Sequence, residues 1–238
     1  MTTAEAKQVS QRLAECFDLF NEMGEEITII LDAMQSFGVP IPDDVRQAKH
    51  DAATYAIGSR VCASRTITPR ECEYLYACEV EFIRLCDQVC DWLIRDLVPP
   101  PQRLAARVFY QKMKADYLQY RTKWTVGDVH DQVKISAKQA YDHAEECALH
   151  HLPLTHPIRL GIALNYAIFQ YDVLGDLDDG YATARTALDQ VIAETTNGSG
   201  EVPVESAFIL SLLRKNVSVW SERPGGWKLV DVYRCRRR

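Results

Sequence analysis

Histidine and cysteine side chains that could bind a metal ion lie close together in the second half of the chain. His143, Cys147 and His150 follow one another at intervals of four and three residues, so a helix would place them along one face, with His151 adjacent. Imidazole and thiolate groups are ligands that Zn²⁺ prefers. The sequence offers no fourth ligand at a recognised zinc-site spacing. We therefore interpret these residues as part of an ordinary helix and predict no metal and no cofactor.

The motifs of common catalytic sites give no support for an enzyme. The sequence contains no GxxxxGKS/T phosphate loop, no GxGxxG dinucleotide motif and no GxSxG nucleophile motif. Cys86 and Cys90 are separated by four positions, which is not the CxxC spacing of a redox or zinc site. Neighbouring carboxylates such as Glu145 and Glu146 are typical of a solvated helix face. We therefore predict a non-enzymatic protein.

The composition is that of an ordinary globular protein. Hydrophobic residues make up 47% of the 238 residues, charged residues make up 25%, and the formal net charge is -6. A negative surface disfavours contact with nucleic-acid phosphates. No apolar run approaches the ~20 residues that a membrane-spanning helix requires, and residues 1–11 lack the apolar stretch of a secretory signal. We expect a cytoplasmic protein that binds no nucleic acid and spans no membrane.

The spacing of apolar residues predicts an all-helical fold. Leu13, Phe17 and Phe20 recur at the interval of an amphipathic helix, and strand-like alternation is missing from the sequence. Thr155-His156-Pro157 has the residues of a helix start. The predicted helices, with a break in the first at Gly24, lie near residues 4–36, 42–65, 69–97, 103–125, 129–150, 156–174, 178–195 and 203–222. Short loops would make them antiparallel, and a tetratricopeptide array is the nearest generic alternative.

Three segments carry a resemblance to a known family. Val108–Tyr120 resembles VFYLKMKGDYYRY of the 14-3-3 family, Thr155–Asn165 resembles its THPIRLGLALN, and Leu212–Trp220 resembles its LLRDNLTLW. With weaker similarity elsewhere, the resemblance covers residues 12–222. It implies a bundle of about nine antiparallel helices that forms an amphipathic groove. The family groove binds phosphoserine or phosphothreonine segments of partner proteins, usually in a dimer.

The resemblance also implies which residues line the groove. Asn165 and Asn216 match the asparagines that hydrogen-bond the ligand backbone, and Asp172 stands where the family has glutamate. The complete predicted peptide-binding set is Lys112, Asp116, Tyr120, Leu164, Asn165, Ile168, Asp172, Ile209, Leu212, Asn216 and Trp220. These residue types suit an extended ligand, because a peptide strand presents unpaired amide and carbonyl groups.

The phosphate-binding positions depart from the family pattern. Thr54 stands where the family has lysine, and Val61 and Gln119 stand where it has arginine, so only Tyr120 of that set remains. A charge-assisted hydrogen bond contributes roughly 1.5–3 kcal/mol, so the loss of several lowers phosphopeptide affinity by orders of magnitude. We predict that dependence on phosphate is weakened or lost.

Three arginines are candidate contacts for phosphate or acidic groups. Arg60 and Arg121 each lie beside a vacated position, but successive helix residues differ by about 100° in direction, so both should point away. Arg65 and Lys112 match basic positions that the family keeps near the groove.

The predicted dimer interface is changed as well. Tyr74 and Glu81 match the family, Leu19 replaces an arginine, and Phe17 adds bulk beside Leu13. Loss of the polar pairing favours a more apolar interface. We predict a homodimer or a heterodimer.

The sequence therefore predicts a 14-3-3-like adaptor that binds extended protein segments, phosphorylated or not, in its groove. The alternative is a helical structural or regulatory subunit that dimerises with a true 14-3-3 protein and binds no peptide itself. Residues 1–222 would form a single helical domain, and residues 223–238 a basic flexible tail.

Overall fold

The computed structural model describes residues 2–36, 41, 43–63, 68–95, 104–196 and 202–222, and these residues are almost entirely helical. The prediction of an all-helical fold is confirmed, and the helices begin and end within a few residues of the predicted bounds. The helices are α1 Thr3–Ser36, α2 Asp43–Ala63, α3 Pro69–Arg95, α4 Leu104–Thr122, α5 Gly127–His151, α6 Pro157–Ile168, α7 Leu177–Thr196 and α8 Val204–Ser221.

The first helix differs from its sequence-based prediction. The break predicted at Gly24 is wrong, because α1 continues through it and buries Met23 and Ile27 on either side. Core packing by these neighbours outweighs the 0.5–1 kcal/mol by which a mid-helix glycine is typically unfavourable. The predicted basic tail, residues 223–238, and the predicted phosphate contact Arg65 lie outside the described residues.

The chain divides into two compact units, Met1–Leu97 and Val98–Arg238. In unit 1, α1 packs along α2 and α3. The α2 face that meets α1 carries Ala48, Ala52 and Ala56, whose small side chains allow the two helices to approach closely. Phe20 lies at the centre of this core, with its ring 5.3 Å from Tyr55 and 5.4 Å from Phe82.

Unit 2 contains α4–α8 and several apolar clusters. One joins α6, α7 and α8, and includes Leu164, Leu188 and Leu213. Another joins α4, α5 and α6, where the Tyr141 and Tyr166 rings stack 5.1 Å apart. α6 therefore has neighbours on several sides, which fixes the direction of each of its side chains. No described helix has the length and apolar character needed to cross a membrane.

A π-helical segment, Phe169–Leu174, continues α6 and was not predicted from the sequence. It ends at Gly175, whose φ of 78° lies in the left-handed region that favours glycine. Just beyond this turn, α7 approaches so closely that a Cβ at Gly180 would lie 2.7 Å from the Ala167 carbonyl oxygen. Segments of this kind occur often at functional sites, and this one carries Asp172.

Candidate functional site

All eleven residues predicted to bind peptide lie in unit 2, on α4, α6 with its π-helical continuation, and α8. α6 contacts both α4 and α8. A direct side-chain contact joins α4 to α6, because Asn165 Nδ2 donates to Asp116 Oδ1 at 2.9 Å. The structure therefore brings the polar members on α4 and α6 together.

Asp116 is the centre of a buried polar network. Its carboxylate is 1% exposed and accepts from Asn165, from the Tyr141 hydroxyl at 2.7 Å and from the Lys112 ammonium group. The ion pair with Asp116 compensates the charge of Lys112, whose side chain is only 17% exposed. Lys112 is thus a partnered cation, and Asn165 is held in one orientation.

Gln119, at a position where the family has arginine, belongs to the same network. It is buried, and its amide lies 2.5 Å from the Tyr141 hydroxyl. Tyr141 has a single hydroxyl proton, and the Asp116 carboxylate is the stronger acceptor for it. Gln119 Oε1 accepts from the same hydroxyl group at 2.5 Å, so the two acceptors share one proton. Gln119 therefore supports Asp116 and carries no charge.

The two predicted backbone-binding asparagines differ in how they are satisfied. Asn165 is half-buried and uses one amide hydrogen on Asp116, so its second hydrogen and its carbonyl oxygen remain for a ligand. Asn216 on α8 is 6% exposed, and its Nδ2 has no hydrogen-bond acceptor among the described residues. A buried donor without an acceptor is unfavourable by about 1–3 kcal/mol, which makes Asn216 the unusual member of the pair.

The apolar residues of the predicted peptide-binding set differ in how deeply they are buried. Leu164 and Ile168 are buried in the cluster between α6, α7 and α8, whereas Ile209 and Leu212 are only partly covered by it. Phe208 beside them is 52% exposed. α8 therefore supplies most of the apolar surface of this site.

The two aromatic members of the predicted set each pack against another ring. Trp220 is nearly buried and stacks on Tyr171, with ring centroids 4.3 Å apart and an interplanar angle of 8°. Tyr120 is buried and packs edge-on to Tyr117. The predicted Tyr120 and Trp220 are thus held rigidly by neighbours.

Asp172 lies half-buried in the π-helical segment. Burial raises the pKa of its carboxyl group to about 6, because removal of water disfavours the charged form. Asp172 is close to half-charged near pH 6, a range in which an ordinary aspartate is fully ionised.

On α2 in unit 1, the positions that match the family's phosphate-binding cations are exposed and uncharged. Thr54 is exposed and donates to the His50 carbonyl oxygen at 2.9 Å, and Val61 is 41% exposed. Arg60 lies over the Phe17 ring, 5.4 Å from its centroid, which is a cation–π contact.

Arg121, the remaining candidate phosphate contact, lies between α4 and α5. Together with Leu118 and Asp128 it lines a cavity of about 290 Å³. This places its side chain on a different side of α4 from Asp116, as the 100° step between helix residues predicts.

The residues predicted for a dimer interface all lie in unit 1 and differ in exposure. Leu13 and Leu19 are buried in its core, at 0% and 6% exposure. Phe17, Tyr74 and Glu81 are half-buried. The latter three are therefore the members of the set with surface to offer.

Tyr74 and Glu81 already have partners within unit 1. The Tyr74 ring stacks near Tyr55, with a centroid separation of 6.3 Å. Glu81 accepts from Arg84 Nε at 2.9 Å, and Arg84 also binds Asp51. A partner chain would have to share Glu81 with Arg84.

Sequence reasoning missed Tyr141 and Tyr171, which support predicted site residues. The Tyr141 hydroxyl group donates to both Asp116 and Gln119, and the Tyr171 ring stacks on Trp220. A usable signal existed for Tyr141, because it lies on an otherwise alanine-rich face of α5 where a hydroxyl group needs a partner. The suggested metal ligands form a single close pair, His143 Nε2 and Cys147 Sγ at 3.7 Å, and the described part of the chain has no group of three.

Comparison with known proteins places these features in a family. The family model described as 14-3-3 protein matches residues 63–221. The chain is 32% identical to the 14-3-3 family protein artA of Aspergillus flavus, over 88% of this chain and 93% of that protein. It is 31% identical to 14-3-3 protein beta/alpha-B of Xenopus laevis, over 89% and 92% respectively. It is 38% identical to 14-3-3-like protein B of Hordeum vulgare, over 63% and 57%. The chain is therefore a divergent member of the 14-3-3 family, whose proteins are non-enzymatic adaptors that bind protein partners and form dimers.

Proposed function

We propose that this 14-3-3 protein binds extended segments of partner proteins through the α4, α6 and α8 residues of unit 2, with weak or no dependence on phosphate. The observation that carries the proposal is the buried Nδ2 group of Asn216, which has no acceptor among the described residues. The carbonyl oxygen of an extended peptide is the group that such a donor lacks. The half-exposed Ile209 and Leu212 on the same helix supply apolar contact for its side chains.

The weak dependence on phosphate rests on charge. A phosphoserine carries about -1.5 to -2 charges and requires several cations to replace its water. Thr54, Val61 and Gln119 are uncharged, and the charge of Lys112 is compensated by Asp116. Binding energy would then come from the peptide backbone and from apolar side chains.

A direct test is to titrate the full chain into a fluorescent 14-3-3-type peptide, phosphorylated and unphosphorylated, and to follow anisotropy. We expect both peptides to bind with dissociation constants within about threefold of each other, because Thr54, Val61 and Gln119 carry no charge that would favour the phosphorylated peptide. A preference for the phosphorylated peptide above about a hundredfold would contradict the proposal.

Asn216→Ala separates binding from folding. Loss of the hydrogen bond to the ligand should lower the affinity for both peptides about tenfold. The free energy of unfolding should stay equal or rise, because an unsatisfied buried donor is removed. Ser218→Ala changes an exposed residue two positions later and should alter neither property. Unchanged peptide affinity in Asn216→Ala would rule out this role for Asn216.

A second candidate, the subunit that dimerises with another 14-3-3 protein and binds no peptide, is favoured by a different surface. Tyr76 and Val80 lie one turn apart on α3 and are 70% and 50% exposed. Exposed apolar residues of this size occur at protein interfaces. Co-purification with a 14-3-3 partner, together with no peptide affinity of the isolated chain, would select this candidate. In either case we place the protein in the cytoplasm, and we assign residues 1–222 to one domain followed by a basic tail.

A further inference from the structure

A cavity of about 380 Å³ lies in unit 2, lined by residues of α5, α6 and α7 and by Leu154. Four of its lining side chains are alanines, Ala148, Ala163, Ala182 and Ala187. Short side chains on three helices leave space that larger residues would fill. The volume falls in the range of about 300–1,000 Å³ that is typical of small-molecule sites.

This cavity is separate from the proposed peptide site. Arg159 and Ala163 face the cavity from α6, whereas Asn165 and Ile168 belong to the peptide site. At about 100° per residue, these two pairs point to opposite sides of the helix. A ligand in the cavity and a peptide on the other face would therefore not compete for the same side chains.

Glu145 is the group that gives the cavity its chemical preference. Its side chain is half-buried, and it accepts no hydrogen bond from any described residue. Burial, followed by the negative charge of Asp142, raises the pKa of its carboxyl group, although Arg159 and Lys138 oppose that shift. A ligand that donates hydrogen bonds and carries positive charge would relieve both unfavourable contributions.

Arg159, the other charged group in the wall, is already occupied. Its Nη1 donates to the Leu152 carbonyl oxygen at 2.9 Å, and Glu194 and Glu145 both attract its charge. Lys138 is likewise paired with Asp142 at 2.9 Å. Glu145 is therefore the charged group of this region that is left without a hydrogen-bonding partner among the described residues.

We propose that the cavity binds a small organic amine, with an apolar body against the alanines of α5, α6 and α7 and a primary ammonium group on the Glu145 carboxylate. The alanine-lined space accepts an aromatic ring or a short branched chain. The Glu145 carboxylate accepts a charge-assisted hydrogen bond, which is about twice as strong as a neutral one. This proposal is independent of what the peptide site binds.

Phenethylamine is a suitable probe, since it joins one aromatic ring to one primary ammonium group. We expect isothermal titration calorimetry of the full chain to show saturable binding at one site. The neutral analogue 3-phenylpropanol and the anionic analogue 3-phenylpropionate should each bind at least tenfold more weakly. No saturable binding of the amine, or equal binding of the propionate, would overturn the proposal, the latter because Arg159 would then be the anchor.

Variants locate the binding to this cavity. Glu145→Gln should lower the affinity for phenethylamine at least tenfold. Glu146→Gln changes an exposed glutamate one position later and should leave this affinity unchanged. Ala163→Leu fills the cavity without a change of charge and should abolish binding, while the thermal transition confirms that the variant is folded. Equal effects of the two glutamate variants, or full binding by a folded Ala163→Leu, would overturn the assignment.

Discussion

Two helix faces that match ligand-binding positions of the 14-3-3 family have diverged by different amounts. On α2 in unit 1, Thr54 and Val61 replace cations, and Ile57 between them is 66% exposed. On α8 in unit 2, Asn216 keeps the amide that matches a backbone-binding position, buried and without an acceptor. The difference supports the proposal that recognition of a peptide backbone and recognition of a phosphate group are separable.

The separation has a simple physical basis. A side-chain amide needs one correctly placed carbonyl group, so a single residue can retain its share of the binding energy. A phosphate group loses a large hydration free energy on binding, and several cations must act together to replace it. Under the proposed function, loss of the cations removes phosphate recognition while the amide contacts are kept.

The largest effect is expected at Asp116, because its carboxylate holds Asn165, one of the two retained asparagines. Asp116→Ala removes the acceptor for Lys112, Tyr141 and Asn165 at a site that is 1% exposed. Loss of one partner of a buried ion pair typically destabilises a protein by about 3–5 kcal/mol. Urea unfolding followed by circular dichroism measures this change.

The matched control for Asp116→Ala is an exposed pair with the same helical spacing. Arg185 and Asp189 form an ion pair in α7 whose side chains are 52% and 51% exposed. Asp189→Ala should change the free energy of unfolding by less than about 0.5 kcal/mol. Similar losses in the two variants would show that the Asp116 network contributes no more than a surface pair.

The next effect would reverse the comparison by restoring the lost cations. The double variant Thr54→Lys, Val61→Arg on α2 should bind a phosphopeptide about a hundredfold more tightly than its unphosphorylated form, equivalent to about 2.7 kcal/mol. Fluorescence anisotropy on the two peptides gives this ratio directly.

Added charge alone must be excluded as the cause of such a gain. A control variant with Gln11→Lys and Ser218→Arg adds the same charge at exposed positions. It should show no phosphate preference at physiological salt, because separated surface charges are screened. A folded double variant at positions 54 and 61 that shows no preference would mean that this face of α2 is not a phosphate site.

Much of the fold could be predicted from the sequence, because the helices are long and strongly periodic. The failure at Gly24 reflects packing, since Met23 and Ile27 keep α1 continuous whatever the local preference of glycine. The π-helical segment could not be predicted for a related reason. The segment lies where α7 approaches closely at Gly180, and hydrophobic periodicity does not record such contacts.

For the candidate site, the sequence predicted the residue types, but it did not predict which hydrogen bonds and ion pairs these residues form. The sequence identified Lys112 and Asn216, but only coordinates show that one is paired with Asp116 and the other lacks an acceptor. The role of Gln119 was likewise hidden, since its link to Tyr141 crosses from α4 to α5. The cavity beside Glu145 is an arrangement of small side chains from three helices, which spacing along the sequence does not reveal.

The smallest effect concerns Asp172, the acidic residue of the π-helical segment. It tests whether this carboxyl group of unit 2 is less charged than an ordinary aspartate. Its pKa is raised to about 6 in the folded protein from 3.8, so the folded state binds the extra proton more tightly than the unfolded state does. The contribution of Asp172 to stability is therefore most favourable below pH 3.8, and it falls as the pH rises to about 6.

Asp172→Asn removes that titration and should stabilise the protein above pH 6. After allowance for the partial exposure of the carboxyl group, we expect a gain of about 1–2 kcal/mol at pH 7.5 and almost none at pH 4. Urea unfolding of wild type and variant at both pH values measures the difference, and Asp176→Asn, at an exposed aspartate four positions later, is the matched control. Equal stability of Asp172→Asn and wild type at pH 7.5 would mean that Asp172 is well solvated. The π-helical segment would then present an ordinary ionised carboxylate.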